Sequence, residues 1–264
     1  MRLSITHTTQ YDYDAPVDYA LQQVRLTPTD TRQQTVRNWD VAVEGGKAEL
    51  SFSDQYNNHT LLVSIEPGGS SIKLTASGEV ETMDSSGVLG EVYGYAPLWH
   101  FTQATDLTKP GKGIRKLARS ISPDDLLPSL HSLSAAIVQE VTYSKGQTYA
   151  ATSAEEALQG GHGVCQDHAQ IFIAAARAAG IPARYVSGYL MMNDRIDQEA
   201  THAWAEAHVD GLGWVGFDVS NGISPDERYV RIATGLDYRD VAPISGMRRG
   251  SAGESMIVSV QVQQ

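Results

Sequence analysis

Residues 165–179 read CQDHAQIFIAAARAA and are followed by Gly180-Ile181-Pro182. The density of alanine and the Gly-x-Pro stop predict a helix of about four turns. Cys165 lies in its first turn, where free backbone N–H groups and the positive end of the helix dipole favour a thiolate and could bind an oxyanion. Gly161 and Gly163 would leave room for a substrate. By position alone, Cys165 fits a small buried side chain as well as it fits a nucleophile.

Three strands are predicted after this helix, at residues 184–192, 201–209 and 214–219, and the last two form a hairpin. Even and odd positions of the second strand differ in character. The even positions are polar or aromatic and the odd ones are small and apolar: His202, Trp204, Glu206 and His208 against Ala203, Ala205, Ala207 and Val209. We expect the odd positions to pack on a hydrophobic layer, and Glu206 and His208 to lie at the surface or behind the site.

Asp218 shares the face of His202 when the hairpin loop has an odd number of residues. We expect a three-residue loop, 210–212, to place the two residues directly opposite each other, and a five-residue loop to place them on a diagonal. A β-bulge would reverse this parity. In either odd register the carboxylate can orient the imidazole. Asp218 could instead simply begin a turn with Ser220-Asn221-Gly222.

The rest of the chain divides by pattern. Turn signals separate β-rich stretches at 36–43, 59–65 and 71–76, which predicts an N-terminal β-sandwich. Residues 84–110 have no period and are interpreted as a linker or a packed connecting segment. Beyond them the sequence predicts helices at 114–121 and 130–141, a capping box from Ser153 to Glu156, and a final strand at 256–262. We therefore expect a β-rich domain at 1–100 and a separate catalytic domain at 101–264, with the boundary between 84 and 112.

The composition is that of a globular protein. The chain has 264 residues, 41% of them apolar, and a net charge of -11, which repels nucleic acid. The longest apolar run is short, at 171–176, so no membrane partner is expected. One cysteine excludes an intramolecular disulfide, and the N-terminus lacks a secretory signal, so we expect a cytoplasmic protein. The oligomeric state is left open.

Four blocks in order carry a family resemblance. They are Gly163-Val164-Cys165-Gln166-Asp167-His168-Ala169, Gly180-Ile181-Pro182-Ala183-Arg184-Tyr185-Val186-Ser187-Gly188-Tyr189, His202-Ala203-Trp204-Ala205-Glu206 and Gly213-Trp214-Val215-Gly216-Phe217-Asp218. Over residues 110–235 the chain resembles the bacterial transglutaminase-like superfamily core. The N-terminal half, through Tyr11-Asp12-Tyr13 and the turn 54–58, resembles the β-rich domain that often precedes it.

This resemblance implies an α+β fold in which an N-terminal β-sandwich precedes a papain-like core, with the cysteine-bearing helix packed on an antiparallel sheet. It implies a catalytic triad of Cys165, His202 and Asp218. His168 departs from the family, in which an aromatic residue is common at this position.

The remaining site residues are predicted by position. The Cys165 N–H and an upstream side chain, Tyr143 or Gln147, would form the oxyanion hole. Candidates for substrate binding are His162, His168 and Trp204. The sequence has no Asp-x-Asp-x-Asp-Gly loop, so neither calcium nor another cofactor is expected. A zinc site of Cys165, His168, His202 and His208 is a minor alternative.

The triad predicts an acyl-thioester intermediate that either water or an amine resolves. We favour a peptidase or amidase acting on peptide or isopeptide amides of a peptide or protein substrate. Water is present at about 55 M, and no amine-binding site is identifiable in the sequence. The alternatives are a protein-glutamine acyltransferase and a non-catalytic binding module that retains the fold.

Overall fold

The computed structural model describes residues 1–91, 95–250 and 253–264. In chain order the strands are β1 (Arg2–Val17), β2 (Tyr19–Thr27), β3 (Gln34–Glu44), β4 (Gly46–Ser53), β5 (His59–Ile65), β6 (Gly69–Thr82), β7 (Val88–Gly90), β8 (Thr142–Tyr143), β9 (His162–Gly163), β10 (Ala183–Leu190), β11 (Asp197–Gln198), β12 (His202–Val209), β13 (Gly213–Phe217), β14 (Tyr229–Gly235), β15 (Ile244–Arg249) and β16 (Glu254–Gln263). The helices are α1 (Lys112–Ala118), α2 (Leu126–Glu140), α3 (Ala154–Gly160), α4 (Cys165–Ala178) and α5 (Tyr238–Val241), with 3-10 turns at Leu98–Thr102 and Pro123–Asp125. None of the helices in these ranges is long and apolar enough to cross a membrane.

The N-terminal region is a sandwich of two sheets with strand orders β11-β16-β1-β6-β3 and β15-β2-β5-β4. The sequence of strand β1 explains why a sandwich forms here. Every second residue from Leu3 to Tyr13 is buried, and the residues between them are more exposed, so one face of the strand packs on a core. Tyr11 and Tyr13 pack between the two sheets with side chains of β2, β5 and β6. The predicted β-sandwich is therefore present.

The second unit places helices on a five-stranded antiparallel sheet with the order β14-β10-β12-β13-β7. Helix α4 packs on β12, and the odd positions of β12 lie in the core with Phe172 and Ala176 of α4, as expected. Ser153 and Glu156 form the predicted capping box of α3. The predicted α+β class, with the cysteine-bearing helix on an antiparallel sheet, is confirmed.

The strands do not follow the boundary that assigned residues 101–264 to the catalytic domain alone. Strand β16 pairs with β1 and strand β15 pairs with β2, so both complete sandwich sheets, while β7 of the predicted linker joins the catalytic sheet through β13. Residues 92–94 of that linker lie outside the described residues. The C-terminal strand returns to the sandwich because it buries apolar side chains there. Val260 and Val262 of β16 share one core with Leu3 and Ile5 and with the catalytic helices.

Two amide side chains of the sandwich region also hold the catalytic sheet, at its outer strand β14. The Gln34 side chain donates to the Arg231 carbonyl (2.9 Å) and accepts from the Arg231 N–H (2.8 Å). Asn58 makes the same pair of bonds with Thr234, each at 2.8 Å. These amides satisfy backbone groups that an edge strand would otherwise expose.

If β16 belongs to the shared core, truncation of a buried side chain on it should destabilise the whole chain. Val260 is 1% exposed, whereas Ile257 on the same strand is 65% exposed. We expect Val260→Ala to lower the free energy of unfolding by about 1–3 kcal/mol, from lost burial and the cavity left behind. Ile257→Ala, the matched control, should change it by less than about 0.5 kcal/mol. Urea unfolding followed by tryptophan fluorescence measures both, and equal midpoints for the two variants would contradict this packing.

Candidate active site

Cys165 begins helix α4, and the turn before it is held by Asp167. Asp167 Oδ2 accepts hydrogen bonds from the Val164 N–H (2.8 Å) and the Thr148 hydroxyl (2.7 Å). A Cβ at Gly163 would lie 2.7 Å from Asp167 Cβ, so glycine is needed there to admit the capping carboxylate. Gly161 ends α3 with φ +67°, in the left-handed region. Both glycines therefore serve the backbone before Cys165, in addition to the room for a substrate that the sequence analysis assigned to them.

His202 and Asp218 form a buried hydrogen-bonded pair. His202 Nε2 donates to Asp218 Oδ2 at 2.6 Å. The same oxygen accepts from the Tyr229 hydroxyl and the Asn221 side-chain amide, each at 2.7 Å, and the Asn221 N–H donates to Oδ1 at 3.2 Å. Asp218 is fully buried. Its negative charge is therefore compensated by four donor contacts rather than by water.

The electrostatics of this pair favour an ionised state. Burial disfavours the imidazolium, but the hydrogen bond with Asp218 and the interactions with Cys165 outweigh it and raise the pKa of His202 to about 10. Burial also opposes ionisation of Asp218, yet the bonds from His202, Tyr229 and Asn221 lower the pKa of that carboxyl. At neutral pH the pair is an imidazolium and a carboxylate.

Cys165 completes the cluster. Its side chain interacts with His202 and contributes to the raised pKa of the imidazole. Because Nε2 of His202 is taken by Asp218, Nδ1 is the ring nitrogen left for the thiol. The structure thus brings the three predicted triad residues together, in the order thiol, imidazole, carboxylate.

The hairpin register corrects the expected placement of Asp218. The loop is the three-residue one, 210–212, and Val209 pairs with Gly213. This pairing continues to Ala205 opposite Phe217, so position 218 faces Trp204 and lies diagonal to His202. A three-residue loop therefore gives the diagonal arrangement, not the directly opposite one. The shared face is as expected, because only the parity of the loop decides it.

Of the two predicted oxyanion side chains, Tyr143 interacts electrostatically with the thiol. Tyr143 is half exposed, and burial together with the charges of Cys165 and Asp218 raises the pKa of its hydroxyl. Gln147 is exposed, and its side chain makes no hydrogen bond to another described residue. In the same loop, the hydroxyl of the neighbouring Thr148 donates a hydrogen bond to Asp167 and so fixes the position of Thr148. The Cys165 N–H, in the first helical turn, has no intrahelical acceptor.

The three residues predicted to bind substrate lie in different environments. His162 is exposed, with Nδ1 3.4 Å from the Ser144 hydroxyl. His168 is buried, and its ring nitrogens bind the Ser220 hydroxyl (2.9 Å) and the Val141 carbonyl (3.1 Å). Burial lowers the pKa of His168. This histidine is a packing residue that ties α4 to neighbouring segments, which corrects its assignment to the substrate site.

Trp204 is also buried, which corrects its assignment. Its indole stacks beside the His202 ring, with centroids 6.3 Å apart, and meets Tyr229 edge-on at 5.5 Å. A Cβ at Gly188 would lie 2.6 Å from the indole, so glycine on β10 makes room for it. Trp204 therefore packs beside the imidazole and restricts its orientation.

The zinc alternative does not match the geometry. Both His168 ring nitrogens are bound elsewhere, and His208 packs edge-on against Trp214 with centroids 5.6 Å apart. Within the three described ranges, no three His, Cys, Asp or Glu side chains are grouped as a metal would require.

Three contributors to the site were missed from the sequence. Tyr229 reaches Asp218 from β14, and nothing in its local sequence predicts this. Asn221 belongs to the turn considered as an alternative role for Asp218, and the structure shows that turn as well, because Asp218 and Ile223 form an isolated β-bridge. Asp167 lies three residues after Val164, the spacing of a helix-capping carboxylate, so a local signal existed for it.

Comparison with known proteins agrees with this architecture. Residues 115–219 match the transglutaminase-like superfamily, and residues 3–81 match the bacterial transglutaminase-like N-terminal region. An uncharacterized protein of Mycobacterium tuberculosis is 30% identical over 294 residues, which cover 99% of this chain and 92% of that protein. The chain belongs to the transglutaminase-like superfamily.

Two further relatives of this superfamily member extend over the whole chain. An uncharacterized protein of Mycobacterium leprae is 26% identical over 281 residues, covering 99% of this chain and 98% of the relative. A crystal structure from Cytophaga hutchinsonii, described as a "putative cysteine protease", superposes with a TM-score of 0.78 at 23% identity, covering 100% of this chain and 91% of that one. At this identity the likeness shows a shared fold.

The raised pKa of His202 predicts that stability falls as the pH rises. Between the unfolded value of about 6.5 and the folded value of about 10, the folded state keeps a proton that the unfolded state has lost. The contribution is complete below about pH 6.5 and decreases by at most about 1.4 kcal/mol per pH unit above it. We expect urea unfolding at pH 7, 8 and 9 to show this slope in the wild type and a flatter one in Asp218→Asn. His131→Gln, which alters an exposed imidazole, should keep the wild-type slope. Equal slopes in the wild type and Asp218→Asn would rule out the coupling.

Proposed function

We propose that this protein is a cysteine hydrolase that cleaves peptide or isopeptide amides through an acyl-thioester on Cys165. The observation that carries the proposal is the buried Asp218–His202 pair, whose remaining ring nitrogen is available to a thiol at a helix N-terminus. Membership of the superfamily and the shared fold support a cysteine enzyme. The role of each residue follows from its contacts.

In the first half-reaction, Cys165 Sγ as thiolate attacks the amide carbonyl carbon, and the carbonyl oxygen becomes an oxyanion. Collapse of this intermediate re-forms the carbonyl and breaks the C–N bond. The His202 imidazolium gives its Nδ1 proton to the departing nitrogen, which leaves as an amine. The product is a thioester on Cys165 and a neutral His202.

In the second half-reaction, neutral His202 takes a proton from a water molecule as the water attacks the thioester. The thiolate leaves, a carboxylic acid is released, and His202 is again an imidazolium. Asp218 holds the imidazole in one orientation and stabilises its positive charge in both halves. The oxyanion is stabilised by the Cys165 N–H and by the Tyr143 hydroxyl.

Water rather than an amine is the proposed acyl acceptor. Transfer needs a site that both excludes water and positions an amine. The polar groups that surround the imidazole in this structure, Asp218, Tyr229 and Asn221, are engaged with one another. Their hydrogen-bonding capacity is used within the cluster, so the proposal assigns none of them to binding an amine.

The reaction type is tested with a glutamine- and lysine-containing peptide library, supplied with and without millimolar primary amine and analysed by mass spectrometry. We expect cleaved peptide or free acid that depends on Cys165. Cys165→Ala should abolish turnover, Asp218→Asn should lower kcat/KM by about 10²–10⁴-fold, and the control His131→Gln should match the wild type. Amine incorporation exceeding hydrolysis would make the protein an acyltransferase. Absence of turnover, with equal peptide binding by wild type and Cys165→Ala, would make it a binding module.

The oxyanion hole is tested by a pair of substitutions on the same segment. Both side chains are exposed, but only for Tyr143 is an electrostatic interaction with Cys165 found among the described residues. We expect Tyr143→Phe to lower kcat by about 10–10³-fold with little change in KM, since the bond strengthens in the transition state. Gln147→Ala should retain wild-type kcat. A larger loss in Gln147→Ala than in Tyr143→Phe would reverse the assignment.

A further inference from the structure

A cavity of about 720 Å3 lies between the sandwich region and the catalytic sheet, away from Cys165. Loops 29–32 and 55–58 line it from the sandwich side. Side chains of the catalytic sheet line the opposite side, among them Arg184, Trp214 and Arg231. None of the triad residues contributes to its wall. Its volume is in the range of sites that bind small molecules, about 300–1,000 Å3.

The floor of the cavity carries an unequal number of buried charges. Arg184 Nε lies 2.7 Å from Glu206 Oε2, and Arg231 Nη2 binds Oε1 of the same carboxylate. The side chains of Arg184, Arg231 and Glu206 are 8%, 11% and 4% exposed. Burial lowers the pKa of Arg184 to about 10, so it remains charged at neutral pH. Two cations and one anion leave one positive charge beneath the cavity.

One guanidinium nitrogen on this floor is also unsatisfied. Arg231 Nη1 is buried and has no hydrogen-bond acceptor among the described residues. A buried donor on a charged group that lacks an acceptor is costly, so the charge of Arg231 is not fully compensated within the protein. The missing acceptor and the surplus charge lie on the same side chain.

The walls of the cavity favour an apolar or planar body. The Arg184 guanidinium stacks over Trp214, 3.9 Å from the ring centroid. Phe101 meets Trp214 edge-on, with centroids 5.1 Å apart. These two rings are only 2% and 5% exposed, so a planar group entering the cavity would pack on the more exposed lining side chains of Tyr56, Pro97 and Leu98 while its charged end reaches the arginines.

The charged residues at the mouth of the cavity do not cancel the positive charge at its floor. Asp30, Arg32 and Glu91 line its rim and are exposed. Water and salt screen exposed charges over about 8–10 Å, whereas the arginines below lie in a low-dielectric environment. The rim therefore affects ligand entry more than it affects the binding of an anion at the floor.

We propose that this cavity is a second binding site, for a small organic carboxylate or phosphate monoester with a planar apolar body. The site is separate from the thiol. Glu206 lies four residues from His202 on β12, about 13 Å along the strand, and the buried Trp204 stands between them. A ligand there would contact both the sandwich loops and the catalytic sheet and would stabilise their packing against each other.

The proposal is tested by thermal unfolding of the full chain with benzoate, phenyl phosphate, inorganic phosphate and uncharged benzamide as probes. We expect saturable increases in Tm with benzoate or phenyl phosphate and none with benzamide. Comparison of benzoate with phenyl phosphate identifies the anionic group, and inorganic phosphate shows whether the aromatic body is needed. No increase with any anion, or an equal increase with benzamide, overturns the proposal.

Substitutions locate the site. Arg231→Gln leaves Arg184 and Glu206 as a one-to-one pair and removes the surplus charge, so it should weaken probe binding by about 10-fold or more. Arg37→Gln, which removes an exposed arginine paired with Glu81, is the control and should bind as the wild type does. Ala96→Trp should block binding by filling the cavity while all charges remain. It therefore tests the site even if Arg231→Gln fails to fold. Unchanged binding in Ala96→Trp, or in a folded Arg231→Gln, would refute the site, and neither result depends on catalysis.

Discussion

The close packing of helix α4 on strand β12 is the constraint that the active site depends on. Alanines on both elements form this contact layer: Ala169, Ala175 and Ala176 on α4, and Ala203, Ala205 and Ala207 on β12. Because the side chains are small, the helix backbone approaches the sheet closely. The first residue of α4 is then next to the first residue of β12, which brings the Cys165 thiol to the His202 imidazole. An added methylene in such a layer costs about 1–3 kcal/mol, a large share of the roughly 5–15 kcal/mol that stabilises a domain.

Two buried carboxylates bound to side chains around β12, Asp218 and Glu206, are compensated in different ways. Asp218 has one cationic partner, His202, and three neutral donor contacts, which together compensate its buried charge. Glu206 has two arginines, which leaves a surplus of positive charge. Removing a partner from such a buried pair is far more destabilising than breaking a surface ion pair. Trp204 separates the two clusters, so each keeps its own electrostatic environment.

The sequence predicted what depends on local pattern. Helix α4 and its end, the alternation in β12, the capping box of α3 and the parity that puts Asp218 and His202 on one face all follow from spacing within one or two elements. The predicted cross-strand partner of Asp218 was wrong. Because Val209 pairs with Gly213, Trp204 rather than His202 lies opposite position 218.

The errors that remained arose from contacts between distant segments. His168 was assigned to the site, but its ring is satisfied by Val141 and Ser220, which lie far away in the chain. Strand β16 was predicted as a strand, yet its partner β1 lies at the opposite end of the sequence. A side-chain pattern shows which face is buried, but it does not show which segment covers that face.

The sandwich region is part of the catalytic core rather than an attachment to it. One end of β1 packs between the sandwich sheets, and the other end, with Leu3 and Ile5, packs with the helices of the catalytic unit. Gln34 and Asn58 meanwhile occupy the hydrogen-bonding edge of β14, the strand that carries both Tyr229 and Arg231. Since Tyr229 donates to Asp218 and Arg231 binds Glu206, the sandwich fixes the strand on which both buried carboxylates depend. The N-terminal region thereby helps to hold the strand that carries Tyr229, without contributing a side chain to the cluster of Cys165, His202 and Asp218.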